Sequence, residues 1–88
     1  MQWFVYMLRC GNGDLYTGLT ANVERRLDEH QSGIGGHFTK TSQPVELVYQ
    51  ESFVTEEDAR RREGQLKMWS RAKKLALIEG NLQTLKRA

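Results

Sequence analysis

The sequence predicts a small α+β domain, a mostly antiparallel three-stranded sheet packed by helices in the order ββαβαα. Three short segments alternate large side chains with a period of two, which is typical of strands. Three further segments space their apolar residues as helices do. A length of 88 residues is below the size at which chains divide into two cores, so we expect one domain over residues 1–88. Its core should lie at about 3–78, with a C-terminal tail at 81–88.

The first two strands are predicted to form a β-hairpin. Large side chains alternate over residues 3–9, the sequence GNGD at 11–14 has the chemistry of a turn, and the apolar pattern resumes over 15–20. Either Thr20 or Asn22 is expected to cap the first helix, which should end near residues 32–33.

A long connection and a third strand follow. Residues 33–44 contain three glycines and one proline, which favours a loop that carries function. Within it, His37 and Phe38 are suited either to stacking on a base or to covering the core. The alternation after Pro44 predicts that one face of the third strand carries Val45, Leu47 and Tyr49.

Two helices complete the predicted fold. Thr55 opens a sequence similar to a capping box and begins a helix that runs to about Trp69. Ser70 is expected to cap the third helix, and Gly80 is expected to end it.

Composition limits the classes of protein to consider. With 39% hydrophobic and 27% charged residues, the chain has enough apolar material for a small core. The single cysteine, Cys10, excludes a disulfide within the chain, and no Cys/His cluster has the spacing of a zinc site. We therefore expect a cytoplasmic protein without a signal peptide, and no apolar run approaches the length of a membrane span.

Charge is unevenly distributed along the chain. The net charge is only +2, but residues 60–74 contain seven basic residues and one acidic residue, a local net charge of +6. Such a stretch suits a polyanion, and it is equally typical of a solvated helix face.

Five side chains are candidates for chemistry. Tyr6 and Tyr16 are brought together by the hairpin, and Arg26 and His30 share a face of the first helix. Glu63 is spaced with apolar residues of the second helix, so its carboxylate is expected to face the sheet and to need a partner or a metal. Structural roles remain open, namely packing of the two phenols in the sheet and an ion pair between Arg26 and Glu63.

Together these elements resemble the GIY-YIG nuclease superfamily. The resemblance rests on FVY at 4–6, YTG at 16–18, the R-x-x-x-H spacing of Arg26 and His30, and Glu63, and it covers residues 3–78. The chain looks closest to the small stand-alone branch, and its core is similar to the nuclease domains of nucleotide-excision repair and of Holliday-junction resolving enzymes. Three positions depart from the family pattern. Phe4 stands in place of the glycine of the first motif, and Thr17 stands in place of the isoleucine of the second motif. Leu19 stands where some members of the family have a lysine.

The resemblance implies hydrolysis of a phosphodiester with one Mg²⁺ or Mn²⁺ ion. Glu63 would be the protein ligand of this metal. Tyr16 would take the proton of an attacking water, with Tyr6 beside it. Arg26 would bind the phosphate oxygens, and His30 would orient Tyr16 or the water or contact the phosphate.

The expected function is that of a metal-dependent DNA endonuclease, acting on DNA of unidentified structure such as repair or recombination intermediates. A protein partner that supplies specificity is also expected. The residues expected to contact nucleic acid are Gly18, Thr39, Lys40, Arg60, Arg61, Lys73 and Lys74. Two alternatives remain open: a nucleic-acid-binding module with weak or lost catalysis, and a protein-interaction subunit whose basic helix docks on an acidic partner.

Overall fold

The computed structural model describes residues 2–31 and 45–87, with side chains at 2–31 and 46–80. The elements are β1 (Trp3–Cys10), β2 (Leu15–Thr20), α1 (Val23–Gln31), β3 (Val45–Phe53), α2 (Glu56–Lys67) and α3 (Arg71–Arg87). The three strands form one antiparallel sheet in the order β2-β1-β3, so β1 is central and β2 lies at an edge. The predicted α+β class and the element order ββαβαα are confirmed.

Helices cover both faces of the sheet. Alternation along β1 directs Tyr6 and Leu8 to one face, where they pack with Leu27 of α1. It directs Val5 and Met7 to the opposite face, where they pack with apolar side chains of α2 and α3. We call these the α1 face and the α2–α3 face. The hydrophobic core is therefore divided between two layers, one on each side of the sheet.

The hairpin forms as predicted and fixes which residues of β2 face α1. Its turn contains Gly13 at φ 91°, a left-handed conformation that glycine adopts without steric cost. The register pairs Tyr6 with Gly18 and Leu8 with Tyr16. Tyr16 and Gly18 therefore lie on the α1 face, because directly paired residues share a face.

A register shift between β1 and β3 changes the predicted face pattern of β3. Met7 pairs with Tyr49 and Leu8 pairs with Leu47, so Val48 is an extra residue in β3. Leu47 consequently packs on the α1 face, while Tyr49 packs with Met7 on the α2–α3 face. The expectation that Leu47 and Tyr49 share one face is wrong, because an inserted residue reverses the alternation beyond it.

The helix starts follow the capping chemistry of the sequence. The side chains of Asn22, Thr55 and Ser70 each accept a hydrogen bond from the backbone N–H three residues later, at 3.0, 3.2 and 3.2 Å. The structure thus selects Asn22 rather than Thr20 as the cap of α1. The Thr20 hydroxyl instead bonds to the backbone of Asn22.

The third helix does not end where the sequence indicated. It continues through Gly80 to Arg87, so the predicted stop at Gly80 is wrong. Gly13 is the glycine with positive φ among the described residues, so Gly80 does not adopt the left-handed conformation of a C-terminal cap. A glycine inside a helix costs about 1 kcal/mol relative to alanine, which weakens a helix without ending it.

Two further features concern the single cysteine and the length of the helices. Cys10 is a buried free cysteine, and burial raises the pKa of its thiol, with the charge of Asp14 adding to the effect. Within the described residues, no helix has the length and apolar character needed to cross a membrane.

Candidate active site

Four of the five candidate catalytic residues meet on the α1 face. The hairpin contributes Tyr6 and Tyr16, and α1 contributes Arg26 and His30. Ring centroids of Tyr16 and His30 lie 4.9 Å apart, and the Tyr6 ring lies 6.1 Å from His30 and 6.2 Å from Tyr16. We call these four residues the phenol cluster.

Tyr6 is the buried member of the phenol cluster. Its side chain is 2% exposed, and its hydroxyl lies 3.1 Å from Nε2 of His30. Burial raises the pKa of Tyr6 to about 12, and the neighbouring Tyr16 adds to the rise, while a hydrogen bond from Arg26 and its charge oppose it. Tyr6 therefore keeps its proton near neutral pH and serves its neighbours as a hydroxyl group.

The pairing of Tyr6 with Gly18 explains the glycine of the YTG sequence. A Cβ atom built on Gly18 would lie 2.5 Å from Cζ of Tyr6, so the ring occupies the space that any side chain would need. The expected close approach at Gly18 is therefore made by the Tyr6 ring. The expected contact of Gly18 with a phosphate stays a prediction.

His30 anchors the phenol cluster from α1. Its side chain is fully buried, and burial lowers its pKa, with the positive charge of Arg26 adding to the effect and Glu29 opposing it. The imidazole is therefore neutral at pH 7. Among the roles expected for His30, this burial favours orienting a phenol over contacting a phosphate.

The lowered pKa of His30 predicts a loss of stability in mild acid. The unfolded chain binds a proton at His30 near pH 6.5, while the folded chain resists it, so stability is fully present above about pH 6.5 and falls below it. We expect the melting temperature to decrease as the pH falls through about 6.5, and a His30→Gln variant to show a flatter profile over that range. The His37→Gln variant is the matched control; a slope that disappeared there instead would contradict this assignment.

Arg26 lies between the phenols and solvent. Burial lowers its pKa, but hydrogen bonding to Tyr6 and the neighbouring phenol groups outweigh this, so the pKa is raised and the charge is permanent. Nη1 of Arg26 also lies 3.5 Å from Oε1 of Glu29, and the Arg26 side chain is 31% exposed. Its guanidinium is therefore open to an anion on the α1 face.

Glu63 does not join the phenol cluster. Its side chain is 18% exposed, and Oε2 of its carboxylate lies 3.5 Å from Nζ of Lys67, so the alternative ion pair between Arg26 and Glu63 is wrong. Its helix α2 packs on the α2–α3 face through residues such as Ala59, whereas the phenol cluster lies on the α1 face.

The position of Glu63 around α2 places it toward the edge strand β2. Its neighbour Arg62 bonds to Glu51 of β3, with Nε 3.3 Å from Oε2. Successive helix residues are rotated by about 100°, so Glu63 lies on the opposite flank of the buried stripe that contains Ala59 and Leu66. In the order β2-β1-β3, that flank is the β2 side. Glu63 and Tyr16 thus approach the same edge strand from opposite faces.

The three arginines of α2 at residues 60–62 are all ion-paired, two of them within α2 and one to β3. Ion pairs join Arg60 to Glu56 at 2.7 Å, Arg61 to Glu57 at 3.3 Å, and Arg62 to Glu51 at 3.3 Å. The acidic partners lie before residue 60, so they were not included in the net charge of +6 that was counted over residues 60–74. The spacing of acids four residues before the arginines was the sequence signal for two of these pairs.

The remaining predicted contact residues fall into two groups. Nζ of Lys73 lies over the Trp69 ring, 4.2 Å from its centroid, while Lys74 lies beside the hairpin turn. Thr39 and Lys40, together with His37 and Phe38, lie outside the described residues.

Known proteins are similar to this chain over most of its length. The family model described as the GIY-YIG catalytic domain matches residues 2–76. A UPF0213 protein of Staphylococcus haemolyticus is 49% identical over 76 residues, covering 86% of this chain and 93% of the relative. A UPF0213 protein of Staphylococcus saprophyticus is 45% identical over 75 residues, covering 85% of this chain and 92% of the relative.

Two solution NMR structures are also similar. The UPF0213 protein of Bacillus halodurans has a TM-score of 0.59 and 40% identity, covering 90% of this chain and 84% of that one. A protein of E. faecalis has a TM-score of 0.61 and 33% identity, covering 100% of this chain and 90% of that one.

Proposed function

Because the chain belongs to the GIY-YIG family, we propose that it is a metal-dependent endonuclease that hydrolyses phosphodiester bonds in DNA. The observation that carries the proposal is the phenol cluster, where a permanently charged guanidinium hydrogen-bonds to both phenols and a neutral buried histidine packs against both rings. Packing alone would be served by apolar rings, which need no hydrogen-bond partner when buried, whereas the buried Tyr6 hydroxyl requires one and has it in His30.

Within the phenol cluster, the two tyrosines have different roles. Tyr6 is buried and stays protonated, so it serves to position its neighbours. Tyr16 is only partly buried and its ring packs against His30 in a tilted arrangement, so Tyr16 is the phenol that an attacking water reaches. We assign to the phenolate form of Tyr16 the acceptance of the proton from that water, a transfer that converts the phenolate into the phenol and the water into the attacking hydroxide.

Arg26 is the proposed phosphate ligand on the α1 face. Its planar guanidinium offers paired N–H donors that match two oxygens of a phosphate, and it gains strength as negative charge develops on them. The same group lies near both phenol oxygens, so a phosphate bound to Arg26 is also held close to Tyr16.

The donor chemistry near β2 fits a single hard cation. Glu63 offers a carboxylate on a partly buried side chain. Thr17 of β2, on the same α2–α3 face, is 4% exposed, and its hydroxyl has no hydrogen-bond partner among the described residues. In those residues no group of three or more His, Cys, Asp or Glu side chains has the arrangement of a metal site. Glu63 would thus hold Mg²⁺ or Mn²⁺ jointly with water and the substrate phosphate. The ion supplies stabilisation of negative charge on the leaving oxygen.

The scissile phosphate is proposed to lie along the edge of β2. Arg26 and Tyr16 approach this edge from the α1 face, and Glu63 approaches it from the α2–α3 face. Arg26 and the metal ion held by Glu63 would then contact one phosphate at this edge, and neither side chain would have to cross the sheet.

A panel of labelled DNA structures with Mn²⁺ tests the proposal. Duplex, single-stranded, flapped and four-way substrates are incubated with the protein and with its Glu63→Gln variant. We expect cleavage of at least one substrate that requires the metal and is lost in the variant. Salt-sensitive DNA binding without metal-dependent cleavage would favour the binding-module alternative, and absence of DNA binding would favour the protein-interaction alternative.

A further inference from the structure

A small cavity lies between the hairpin turn and the first turn of α3. It has a volume of about 280 Å³ and is lined by Asp14, Leu15, Arg71 and Lys74. The arginine side chain is exposed and the lysine is half-buried. Its walls come from two elements far apart in sequence, so the cavity is a product of the fold.

The two basic residues of this cavity differ from the arginines of α2. Arg60 and Arg61 each have an acidic partner on the preceding helical turn. Within the described residues, neither Arg71 nor Lys74 has an acidic group within 4.0 Å. The positive charge of the basic stretch therefore remains unneutralised at this cavity.

One acidic residue shares the cavity and reduces its charge. The Asp14 carboxylate accepts a hydrogen bond from the Asn12 side chain at 3.0 Å, which holds it within the turn. Two cations and one anion leave the lining with a net charge of +1.

Helix stability does not explain these cations. The first turn of α3 contains no acidic residue, and cations there oppose the helix dipole. The first turn of α2, in contrast, has three acidic residues, which favour its helix. A basic pair placed where it weakens its own helix indicates selection for another purpose.

The cavity lies beside the proposed path of the substrate. Leu15 lines it and immediately precedes Tyr16 on the edge strand β2, with the two side chains on opposite faces. The cavity and Glu63 both belong to the α2–α3 face. A DNA strand that passes the edge of β2 at Tyr16 reaches the hairpin turn within a few nucleotides.

We propose that Arg71 and Lys74 bind a backbone phosphate of the DNA strand that is cleaved at the edge of β2, which makes the cavity a second phosphate subsite. This inference rests on the proposed function. Arginine donates paired hydrogen bonds to phosphate oxygens and lysine adds a point charge, so the pair suits a phosphodiester of any base sequence.

Binding of a labelled single-stranded oligonucleotide at a series of salt concentrations tests the subsite. The double variant Arg71→Gln/Lys74→Gln should bind more weakly and flatten the slope of log affinity against log salt by about 0.7, the value for loss of one phosphate contact on a single strand. The control Arg60→Gln/Arg61→Gln removes the same charge from ion-paired residues and should change the slope by less than half as much. Equal effects of the two double variants would overturn the proposal.

A third variant changes the affinity in the opposite direction. Asp14→Asn removes the anion of the cavity but keeps a side chain that fits the turn, so affinity for the same oligonucleotide should rise several-fold. Unchanged affinity would contradict the subsite. Melting curves of all three variants confirm that they fold.

The same measurements separate failure of the subsite from failure of the proposed function. Wild-type cleavage with an unaltered salt slope in Arg71→Gln/Lys74→Gln overturns the subsite alone. Wild-type protein that binds no DNA overturns both. An acidic peptide that competes for Arg71 and Lys74 while DNA does not would assign the cavity to a protein partner and overturn the subsite.

Discussion

Replacing Glu63 with glutamine is expected to abolish metal-dependent cleavage while the fold and DNA binding persist. Glutamine has the same shape as glutamate but lacks the charge that a hard cation requires. The structural cost should be small, because the substitution breaks one ion pair to the exposed Lys67, and such surface pairs contribute about 0–1 kcal/mol. Cleavage rates with Mn²⁺, DNA affinity without metal and the melting temperature are the three measurements.

The Lys67→Gln variant is the matched control for Glu63→Gln. It breaks the same ion pair but retains the carboxylate, so cleavage should persist. If both variants lost activity equally, the ion pair would be the functional unit and Glu63 would not be a metal ligand. Retained cleavage in Glu63→Gln would contradict the metal role directly.

The local sequence was sufficient to predict the elements and two pairs of candidate residues, Tyr6 with Tyr16 and Arg26 with His30, which the family resemblance joined into one site. The turn chemistry around Gly13 sets the hairpin register, and that register brings Tyr6 beside Tyr16. Helical spacing then places His30 and Arg26 on one side of α1. The hairpin register and the shared face of α1 each depend on residues close in sequence, so the residue pattern was enough to predict them.

Features that depend on contacts between distant segments were not predictable from pattern. The inserted Val48 reverses the face pattern of β3, and only its pairing with β1 reveals this. The sequence also placed Glu63 facing the sheet without indicating which layer α2 would join. Because α1 and α2 pack on opposite faces, Glu63 approaches β2 from the side opposite to the phenol cluster.

The glycine at the expected end of α3 shows that residue type alone does not predict where a helix ends. A glycine ends a helix when its backbone turns left-handed, and Gly80 does not. The same residue type is essential at Gly18, where the Tyr6 ring fills the space of a side chain. One residue type thus had different consequences at two positions, and the surrounding structure determined which applied.

Removal of the Tyr16 hydroxyl is expected to reduce the cleavage rate by at least about 100-fold with little loss of stability. Phenylalanine keeps the ring that packs against His30, so the packing on the α1 face persists. Tyr6→Phe should slow cleavage less, because the raised pKa of Tyr6 makes it a positioning hydroxyl rather than the proton acceptor. Tyr6→Phe should instead lower the melting temperature, since it removes the hydrogen bond to the buried His30.

Arg26→Lys completes the test of the phenol cluster. Lysine keeps the positive charge but loses the planar fork that binds two phosphate oxygens, so cleavage should fall about 100-fold or more while DNA affinity changes little. Tyr49→Phe is the control, because this phenol lies on the α2–α3 face and donates to Glu51 at 2.5 Å. It should alter stability and leave the rate unchanged. If Tyr16→Phe and Arg26→Lys behaved like Tyr49→Phe, with shifted melting temperatures and wild-type rates, the phenol cluster would be a packing feature of the sheet.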